Sequence, residues 1–291
     1  MDLPINLKYF EKIRLIGEAV MFRHSIFSLP FAYIAAIAPF RRLPSFYDFF
    51  WINVAMFGAR NAANALNRVI DAEIDKKNPR TRDRHIPAGT LSKKELLAFA
   101  AVCLSLLVLA AFMLNSLCVR LLPVAGFLLI FYSYTKRFTW ACHLFLGLAS
   151  SAAPVGSWIA VTGNIQFPAV VLGAVYGLWV AGFDIIYGTL DADFDRRNGV
   201  HSIPADFGIE NALKISMGFH IASIVLLLWF WQLVHFGPLF LTGIAVVASL
   251  LYYEHSIVSP TNLTHAKVAS YNVNEVVGIT LLAFFLADML L

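Results

Sequence analysis

Long apolar runs separated by short polar segments make up almost the whole chain. The hydrocarbon core of a bilayer takes about 20 residues of apolar helix to cross, and nine runs of roughly that length can be marked off. We therefore predict an all-α polytopic membrane protein with about nine transmembrane helices in a single domain, residues 1–291. The predicted spans are 16–39, 49–71, 95–114, 118–135, 139–162, 168–190, 210–233, 236–254 and 268–290.

The overall composition agrees with this pattern. Of the 291 residues, 59% are hydrophobic and only 14% are charged, and the mean hydropathy is +0.71. The charged residues are bunched between the apolar runs, which is typical of loops between membrane spans. Because the three cysteines, Cys103, Cys118 and Cys142, lie in or beside apolar runs without a C-x-x-C spacing, we assign them no metal or redox role.

Lysine and arginine are distributed unevenly between the two predicted faces of the membrane. With the N-terminus inside, the inner segments carry sixteen of the 22 basic residues and the outer segments carry three. Cytoplasmic loops hold the excess of positive charge in membrane proteins. The sequence therefore predicts a cytoplasmic N-terminus and an external C-terminus, in what we take to be a bacterial inner membrane.

An internal repeat is the clearest signal in the polar segments. Asp71-Ala-Glu-Ile-Asp75-Lys-Lys-Asn78 recurs 120 residues later as Asp191-Ala-Asp-Phe-Asp195-Arg-Arg-Asn198. Four predicted spans separate the copies, so both lie on the same face of the membrane and can face each other across one site. We predict a bundle of two four-helix repeats plus one helix, with a first motif loop at 72–94 and a second at 191–209.

Polar residues continue the first motif back into the bilayer. Asn67, Asp71 and Asp75 are four residues apart, so they lie on one helix face with about 6 Å of rise between neighbours. Asn64 and Arg60 extend the same face. Polar groups inside a membrane are costly unless they face a cavity or partners, so this face is predicted to line a polar cavity.

The sixth predicted span repeats the arrangement. Its polar residues follow one another at steps of three, four and four, which again places them on one helix face. Four motif carboxylates at one end of a bundle would repel one another without cations, and oxygen ligands favour Mg²⁺ or Ca²⁺ over zinc. Mg²⁺ suits two separated aspartate pairs that share a diphosphate. The polar residues that share this face are Asp184, Tyr187, Asp191 and Asp195.

Basic residues follow each acidic pair. Arginine can bind phosphate oxygens through two parallel hydrogen bonds. Some of these residues can serve only as topology signals, which alone would explain the neighbouring lysines. We predict that three of them, Arg80, Arg84 and His201, bind the phosphate groups of a substrate.

These motifs resemble those of the UbiA superfamily of intramembrane prenyltransferases. Its N-x-x-x-D-x-x-x-D motif corresponds to Asn67, Asp71 and Asp75, and its D-x-x-x-D motif to Asp191 and Asp195. The resemblance implies a nine-span helical bundle with a central cavity and a Mg²⁺-diphosphate site. The R-T-x-x-R-x-x-P-x-G loop of 4-hydroxybenzoate prenyltransferases is present as Arg80, Thr81, Arg84, Pro87 and Gly89.

Two departures from that pattern concern the acceptor. Relatives that use 4-hydroxybenzoate often carry R-L-x-K-P in helix one and K-S after the second motif. Here the corresponding stretches are Met21-Phe-Arg-His24-Ser25 and His201-Ser202, which we consider together with the overlapping stretch Arg23-His24-Ser25-Ile-Phe27. They look more like the branch associated with the futalosine route to menaquinone, so both a 4-hydroxybenzoate-like acid and a dihydroxynaphthoate remain candidate acceptors.

The resemblance implies transfer of a prenyl group from its diphosphate to an aromatic ring in ubiquinone or menaquinone biosynthesis. Asp71, Asp75, Asp191 and Asp195 would hold Mg²⁺, with Asn67 orienting the first pair. Tyr187 is the predicted aromatic partner of the allylic cation, and Asp184 would orient the ring hydroxyl or accept the ring proton. The remaining predicted substrate-binding residues are Asn64, beside the first motif, and Asn274, in the last span.

A secondary transporter is the alternative from another functional class. Intramembrane Arg60, Asp184 and Glu275, together with an internal repeat, are also transporter features. A transporter should carry its acidic residues near the middle of the membrane, flanked by helices broken at glycine. The acidic clusters here lie at the predicted cytoplasmic helix ends, which favours the enzyme.

Overall fold

Long helices joined by short loops form the described part of the protein. The computed structural model describes residues 5–21 and 28–291, with side chains from residue 11 onward, and it confirms the predicted all-α fold class. The helices are α1 (Ile5–Ala19), α2 (Leu29–Ile37), α3 (Phe46–Ile70), α4 (Ala72–Lys77), α5 (Lys93–Leu114), α6 (Ser116–Thr135), α7 (Cys142–Thr162), α8 (Phe167–Gly188), α9 (Ala192–Asn198), α10 (Ile203–Phe207), α11 (Ile209–Val234), α12 (Pro238–Ser256) and α13 (Asn274–Met289).

Seven helical segments within residues 5–21 and 28–291 are long and apolar enough to cross a membrane. α3 is not among the seven, although its 25 residues extend over about 37 Å, because asparagines and arginines interrupt its apolar surface. Each predicted span from 49–71 onward coincides with a helix to within three residues at either end. The seven segments are Lys93–Leu114, Ser116–Thr135, Cys142–Thr162, Phe167–Asn198, Ile209–Val234, Pro238–Ser256 and Val268–Met289.

The first predicted span, 16–39, is wrong as one continuous helix. α1 ends at Ala19, and Met21 has a positive φ of 53°, which a continuing α-helix does not allow. α2 begins at Leu29 with Pro30 in its first turn, where the missing N–H of proline breaks no helical hydrogen bond. The stretch Arg23-His24-Ser25-Ile-Phe27, on which the acceptor assignment depended, lies outside the described residues.

Helix ends are defined by short polar side chains. Asn115 separates α5 from α6, and its side-chain oxygen accepts hydrogen bonds from the backbone N–H groups of Leu117, at 3.1 Å, and Cys118, at 3.0 Å. Ser92 and Glu95 form a reciprocal capping box at the start of α5. Such caps satisfy backbone donors that have no partner inside the helix, so the break that separates two apolar runs is encoded locally.

α8 is the most enclosed long helix and carries the second acidic motif at its end. It packs between α7 and α11, and Trp179 and Tyr176 are almost fully buried on it. α7 and α8 cross at Gly147 and Gly177, where a Cβ on Gly147 would lie 2.3 Å from the carbonyl oxygen of Gly177. Small residues allow this close approach, which fixes the position of α8 relative to α7.

Each acidic motif lies at a junction between two helices. Asp71 separates α3 from α4 with φ −90° and ψ 0°. Asp191 ends a 3₁₀ turn after α8 and precedes α9 with φ −109° and ψ −1°. The sequence analysis treated each motif as one face of an uninterrupted helix, which is wrong at these two residues. Both lie in a sparsely populated backbone region in which active-site residues are often found.

Candidate functional site

A polar cavity of about 290 Å³ lies between the two helix junctions. Both acidic motifs line it, and so do most of the predicted substrate-binding residues. The predicted site residues in its wall are Asn64, Asn67, Asp71, Asp75, Arg80, Arg84, Asp184, Tyr187, Asp191, Asp195 and His201. The structure therefore brings together residues from the two motif copies that are more than 100 positions apart in the chain.

Asp71 is buried and surrounded by donors. Lys136 Nζ lies 2.6 Å from Oδ2 and Arg137 Nη2 lies 3.2 Å from Oδ1. Asn67 donates from Nδ2 to Asp71 Oδ2 at 2.8 Å and to Ser133 Oγ at 3.2 Å. Most of these partners come from the end of α6, through Ser133, and from the two residues Lys136 and Arg137 that follow the helix.

Asp75 is bound by two residues, Thr81 and Arg84, of the loop that follows its own motif. Arg84 Nη1 lies 2.7 Å from Oδ1 and 2.9 Å from Oδ2. Thr81 donates from its hydroxyl to the backbone carbonyl of Asp75 at 3.0 Å. Arg84, which we predicted to bind phosphate, is thus a partner of Asp75, and both residues line the cavity.

Residues of the first motif loop bind the second motif directly. Asn78 Nδ2 donates to Asp191 Oδ1 at 2.7 Å, and Arg80 Nε donates to the same oxygen at 2.8 Å. Arg80 Nη2 also pairs with Asp191 Oδ2. Although burial opposes its charge, the bond to Asp191 and the neighbouring Tyr187 raise the pKa of Arg80 above its ordinary value. The two copies are therefore linked by charge-assisted hydrogen bonds.

Asp195 lies on α9 and has no such cationic partner within hydrogen-bond distance among the described residues. Its Oδ2 accepts from Ser202 Oγ at 3.2 Å. His201 also lines the cavity, but its Nδ1 lies 3.2 Å from Asp206 Oδ2. The backbone N–H of His201 donates to Lys136 O at 2.7 Å, which joins this loop to the end of α6.

Two tyrosines stand on the wall opposite α6. Arg80 Nη1 donates to the hydroxyl of Tyr187 at 2.6 Å, and its guanidinium carbon lies 4.8 Å from the centre of the Tyr187 ring. Tyr271 contacts Tyr187 edge to face with 5.0 Å between ring centres. Tyr271 belongs to a π-helical turn, Val268–Val273, a distortion frequent at functional sites.

Asp184, predicted to act on the acceptor, pairs with a histidine of α7. His143 Nδ1 lies 2.7 Å from Asp184 Oδ2, and both residues line the polar cavity. The carboxylate lies about 10 Å from Asp191 along the helix axis by helical rise. It therefore lies within α8, about two helical turns before the second motif.

An apolar cavity of about 400 Å³ adjoins the polar one. The two share Asn64, Tyr132 and Leu146 in their walls. Most of the remaining lining is aliphatic and comes from α3, α5, α6 and α7, with Arg60 as its charged member. An apolar space next to a cluster of charges suits a ligand with a polar head and a hydrocarbon tail.

Two predicted substrate-binding residues have partners in the protein. Asn64 lines both cavities, yet its Nδ2 donates to Val20 O at 2.7 Å and so ties α3 to the end of α1. Asn274 is fully buried outside the two cavities, and its Nδ2 donates to Glu254 Oε1 at 3.1 Å and to Ala269 O at 3.0 Å. The structure gives Asn274 no contact with the site.

The residues in the cavity wall suit a Mg²⁺ ion whose coordination is completed by oxygen atoms of the substrate. In the described part of the chain, no group of three or more histidine, cysteine, aspartate or glutamate side chains is close enough to hold a metal alone. The donors are carboxylates in two separated pairs, with basic side chains between them. Mg²⁺ is commonly held by one or two carboxylates together with substrate phosphates and water, so this donor set suits Mg²⁺ when a diphosphate is present.

Several cavity residues were missed by the sequence analysis, among them Asn78, Lys136, His143 and Tyr271. Asn78 had a usable signal, because it recurs as Asn198 in the second motif copy. Lys136 was counted among the topology charges. Neither His143 nor Tyr271 belongs to a motif, and each reaches the site from a helix whose position only the fold determines.

Comparison with known proteins places this site in a family. The sequence pattern of the UbiA prenyltransferase family matches residues 28–276. A 4-hydroxybenzoate octaprenyltransferase of Vibrio campbellii is 28% identical over 74% of this chain and 76% of its own length. A protoheme IX farnesyltransferase of Korarchaeum cryptofilum is 26% identical over 71% of this chain and 70% of its own length.

Solved structures agree with this placement. The apo structure of a UbiA homolog from Aeropyrum pernix K1 matches with a TM-score of 0.84 and 30% identity, covering 92% of this chain and 98% of that one. A UbiA homolog from Archaeoglobus fulgidus, solved bound to GPP and Mg²⁺, shares the fold with a TM-score of 0.71 at 16% identity, covering 95% of this chain and all of that one.

Proposed function

This chain belongs to the UbiA prenyltransferase family, and from that premise we propose that it transfers a prenyl or polyprenyl group to an aromatic quinone precursor. The acceptor would be a 4-hydroxybenzoate-like acid or a dihydroxynaphthoate. The observation that supports this most strongly is the pair of acidic helix junctions around one cavity, joined by Arg80 and adjacent to an apolar space.

The two cavities match the two ends of a prenyl diphosphate. The polar cavity contains carboxylates for the metal and basic side chains for the phosphate oxygens. The apolar cavity offers a wall of aliphatic side chains for the hydrocarbon, whose burial contributes about 25 cal/mol per Å² of apolar surface. The shared lining at Asn64, Tyr132 and Leu146 would then lie near the first carbons of the prenyl chain.

Binding would exchange the partners of the basic residues. Arg80 pairs with Asp191, and Arg84 pairs with Asp75. When Mg²⁺ is bound, it supplies a Lewis acid that weakens the bond between the allylic carbon and the diphosphate. Asp71, Asp75, Asp191 and Asp195, with Asn67 orienting Asp71, are the residues that would hold it. Arg80, Arg84 and Lys136 are then released to contact phosphate oxygens.

Residues around the allylic carbon would protect the developing cation. Tyr187 and Tyr271 present aromatic surfaces at this end of the cavity, and aromatic faces attract cations electrostatically. Water in contact with the cation would divert the reaction to hydrolysis, so a wall of tyrosines next to an apolar cavity favours transfer to the ring. Asp184 would accept a hydrogen bond from the ring hydroxyl.

The choice of acceptor requires a direct assay. Purified protein in lipid would be incubated with Mg²⁺ and a prenyl diphosphate, and offered 4-hydroxybenzoate, a dihydroxynaphthoate or protoheme in separate reactions. We expect a product from one of the two aromatic acids, with the mass of the acceptor plus one prenyl group less one hydrogen, measured by mass spectrometry. Omission of Mg²⁺ with EDTA present should abolish it.

Two outcomes would contradict the proposal. A product from protoheme but from neither aromatic acid would place the enzyme among the haem prenyltransferases. Absence of any product, combined with uptake of a small solute by proteoliposomes, would favour the secondary transporter. The Asp191→Asn variant is the matched control, because it keeps the shape of the side chain and removes the charge.

A further inference from the structure

In the pair formed by His143 and Asp184, the histidine is buried and the carboxylate is partly exposed. The proposed reaction does not by itself require this difference. His143 is 4% exposed, whereas the side chain of Asp184 is 30% exposed. The two side chains come from different helices, α7 and α8, and both line the polar cavity. A buried histidine beside a partly open carboxylate indicates that the carboxylate contacts the ligand and that the histidine acts behind it.

The imidazole ring of His143 is buried against Gly188. Its Cε1 atom lies so near Gly188 that a Cβ on that residue would be 3.0 Å away. Its Nε2 atom is buried and has no hydrogen-bond partner among the described residues. An ionised carboxylate can only accept hydrogen bonds, so Nδ1 must carry the proton in the 2.7 Å bond to Asp184.

The hydrogen bond with His143 uses only one of the two carboxylate oxygens of Asp184. His143 occupies Asp184 Oδ2, and none of the described hydrogen bonds involves Asp184 Oδ1. That oxygen is free to accept a hydrogen bond from a molecule in the cavity. Orientation of a reactive group by a fixed neighbour is a recurrent feature of catalytic acids and bases.

We propose that His143 is a positioning residue that fixes Asp184 so that Oδ1 binds the ring hydroxyl of the acceptor. This inference rests on the proposed function. The reacting group is Asp184, and His143 acts through it by donating from Nδ1. The pair thereby selects acceptors that carry a free hydroxyl next to the ring carbon that is prenylated.

The proton and electron pairs balance in this arrangement. As the ring carbon forms its bond to the allylic carbon, the carbon–oxygen bond to diphosphate breaks and its electron pair leaves with the diphosphate. The hydroxyl proton moves to Asp184 Oδ1, while the hydrogen bond from His143 to Oδ2 holds the carboxyl group in place. The ring becomes a neutral dienone. The hydrogen on the attacked carbon then passes as a proton to the released diphosphate, which restores the aromatic ring as a phenolate, and Asp184 returns its proton to the phenolate oxygen.

Two substitutions of equal shape test the bond from His143. His143→Asn keeps an N–H donor close to the position of Nδ1, whereas His143→Leu has nearly the same volume and no donor. We expect both variants to bind an unreactive prenyl diphosphate analogue with Mg²⁺ as the wild type does. Removal of a supporting hydrogen bond of this kind lowers activity by about 10- to 100-fold, so His143→Leu should lose that much turnover while His143→Asn recovers most of it.

The assay uses the aromatic acid that the wild type prenylates and measures kcat and KM for acceptor and donor separately. The loss in His143→Leu should fall on kcat and on the KM for the acceptor, with the KM for the donor unchanged. An acceptor whose hydroxyl is methylated should be a poor substrate for the wild type. His265→Leu, at an exposed histidine outside the cavity, is the matched control and should behave as the wild type.

Several results would overturn the inference. Equal turnover of His143→Leu and wild type, or equal loss in His143→Asn and His143→Leu, would show that the donor to Asp184 is not what matters. Loss of analogue binding in His143→Leu would show a structural role only. Efficient prenylation of the methyl ether would remove the assigned hydroxyl contact. Absence of product from the wild type itself is a different result, because it overturns the proposed function as well.

Discussion

At the scale of single residues, the site holds its negative charges by pairing three of the four motif aspartates with basic side chains. Asp71 contacts Lys136 and Arg137, Asp75 contacts Arg84, and Asp191 contacts Arg80. Removing one partner of a buried pair leaves an uncompensated charge. Arg80 belongs to the first motif loop and pairs with the second motif, so its substitution should affect the ligand and the second motif at once.

Arg80→Gln tests this exchange of partners. The variant removes the charge that bonds Asp191 and Tyr187, and hydrogen bonds to charged groups contribute about 1.5–3 kcal/mol. We expect affinity for a prenyl diphosphate in the presence of Mg²⁺ to fall about 10- to 100-fold, measured by titration calorimetry. Arg82→Gln is the control, because Arg82 lies in the same loop but is exposed and outside the cavity wall. An equal loss in both would indicate a general effect of loop charge.

Asp184→Asn and Asp191→Asn separate the acceptor end from the diphosphate end of α8. Asp191→Asn removes a charge from a group that we assign to Mg²⁺, so binding of the diphosphate should weaken and turnover fail with every acceptor. Asp184→Asn should leave diphosphate binding intact and lower turnover by an amount that varies with the acceptor. If Asp184→Asn abolished diphosphate binding while Asp191→Asn spared it, donor and acceptor would be placed in the reverse order.

The sequence predicted the motif residues of the site and the nearby Arg80 and Arg84, but not the residues that reach the site from other helices. Asn67, Asp71, Asp75, Asp191 and Asp195 could be found because a four-residue spacing repeats in two copies. His143 and Tyr271 stand alone on their helices, and spacing along a chain does not tell which distant residues meet. Asn274 was assigned to the site because a polar residue in an apolar span suggested a cavity, whereas its partner is Glu254.

At the scale of helices, apolar length was sufficient to find the spans from 49–71 onward. Each is long enough to cross the bilayer and ends at a local polar signal, such as Asn115 between α5 and α6. The prediction of one helix over 16–39 was wrong because the high average hydrophobicity of that stretch gives no sign of the helix end near Met21 or of the new start near Pro30. The breaks at Asp71 and Asp191 could not be read from the sequence, since helical spacing on either side of them is preserved.

Gly147→Ala tests the crossing of α7 and α8 that sets the position of the second motif. An added methyl group would collide with the Gly177 carbonyl, and overpacking of this kind costs about 1–3 kcal/mol. We expect a lower midpoint of thermal unfolding in detergent and reduced turnover. Gly126→Ala in α6 is the control, because a Cβ there meets nothing within 4 Å. An unchanged midpoint in Gly147→Ala would contradict the close crossing.

At the scale of the whole molecule, the two copies of the acidic motif meet at the cavity. Asn78 and Arg80 of the first half bond Asp191 of the second, and the loop at His201 joins the end of α6. The even number of predicted spans between the motif copies placed both on one face of the membrane. Which face this is follows only from the distribution of basic residues, so the orientation stays a prediction.

Labelling of introduced cysteines tests that orientation. Lys77→Cys, in α4 beside the first motif, should react with a membrane-impermeant thiol reagent only from the cytoplasmic side in oriented membrane vesicles. Arg42→Cys, between α2 and α3, should react only from the opposite side. The wild type, with its own three cysteines, gives the background. Reaction of Lys77→Cys from outside would reverse the topology.

The central claim is that the two acidic helix junctions form one Mg²⁺-dependent diphosphate site. Binding of an unreactive prenyl diphosphate analogue, measured with and without Mg²⁺ in the wild type, Asp75→Asn and Asp195→Asn, tests it most directly. We predict metal-dependent binding in the wild type and its loss, by about tenfold or more, in each variant, although the substituted residues are 120 positions apart. Metal-dependent binding that survives unchanged in either variant would contradict a single shared site.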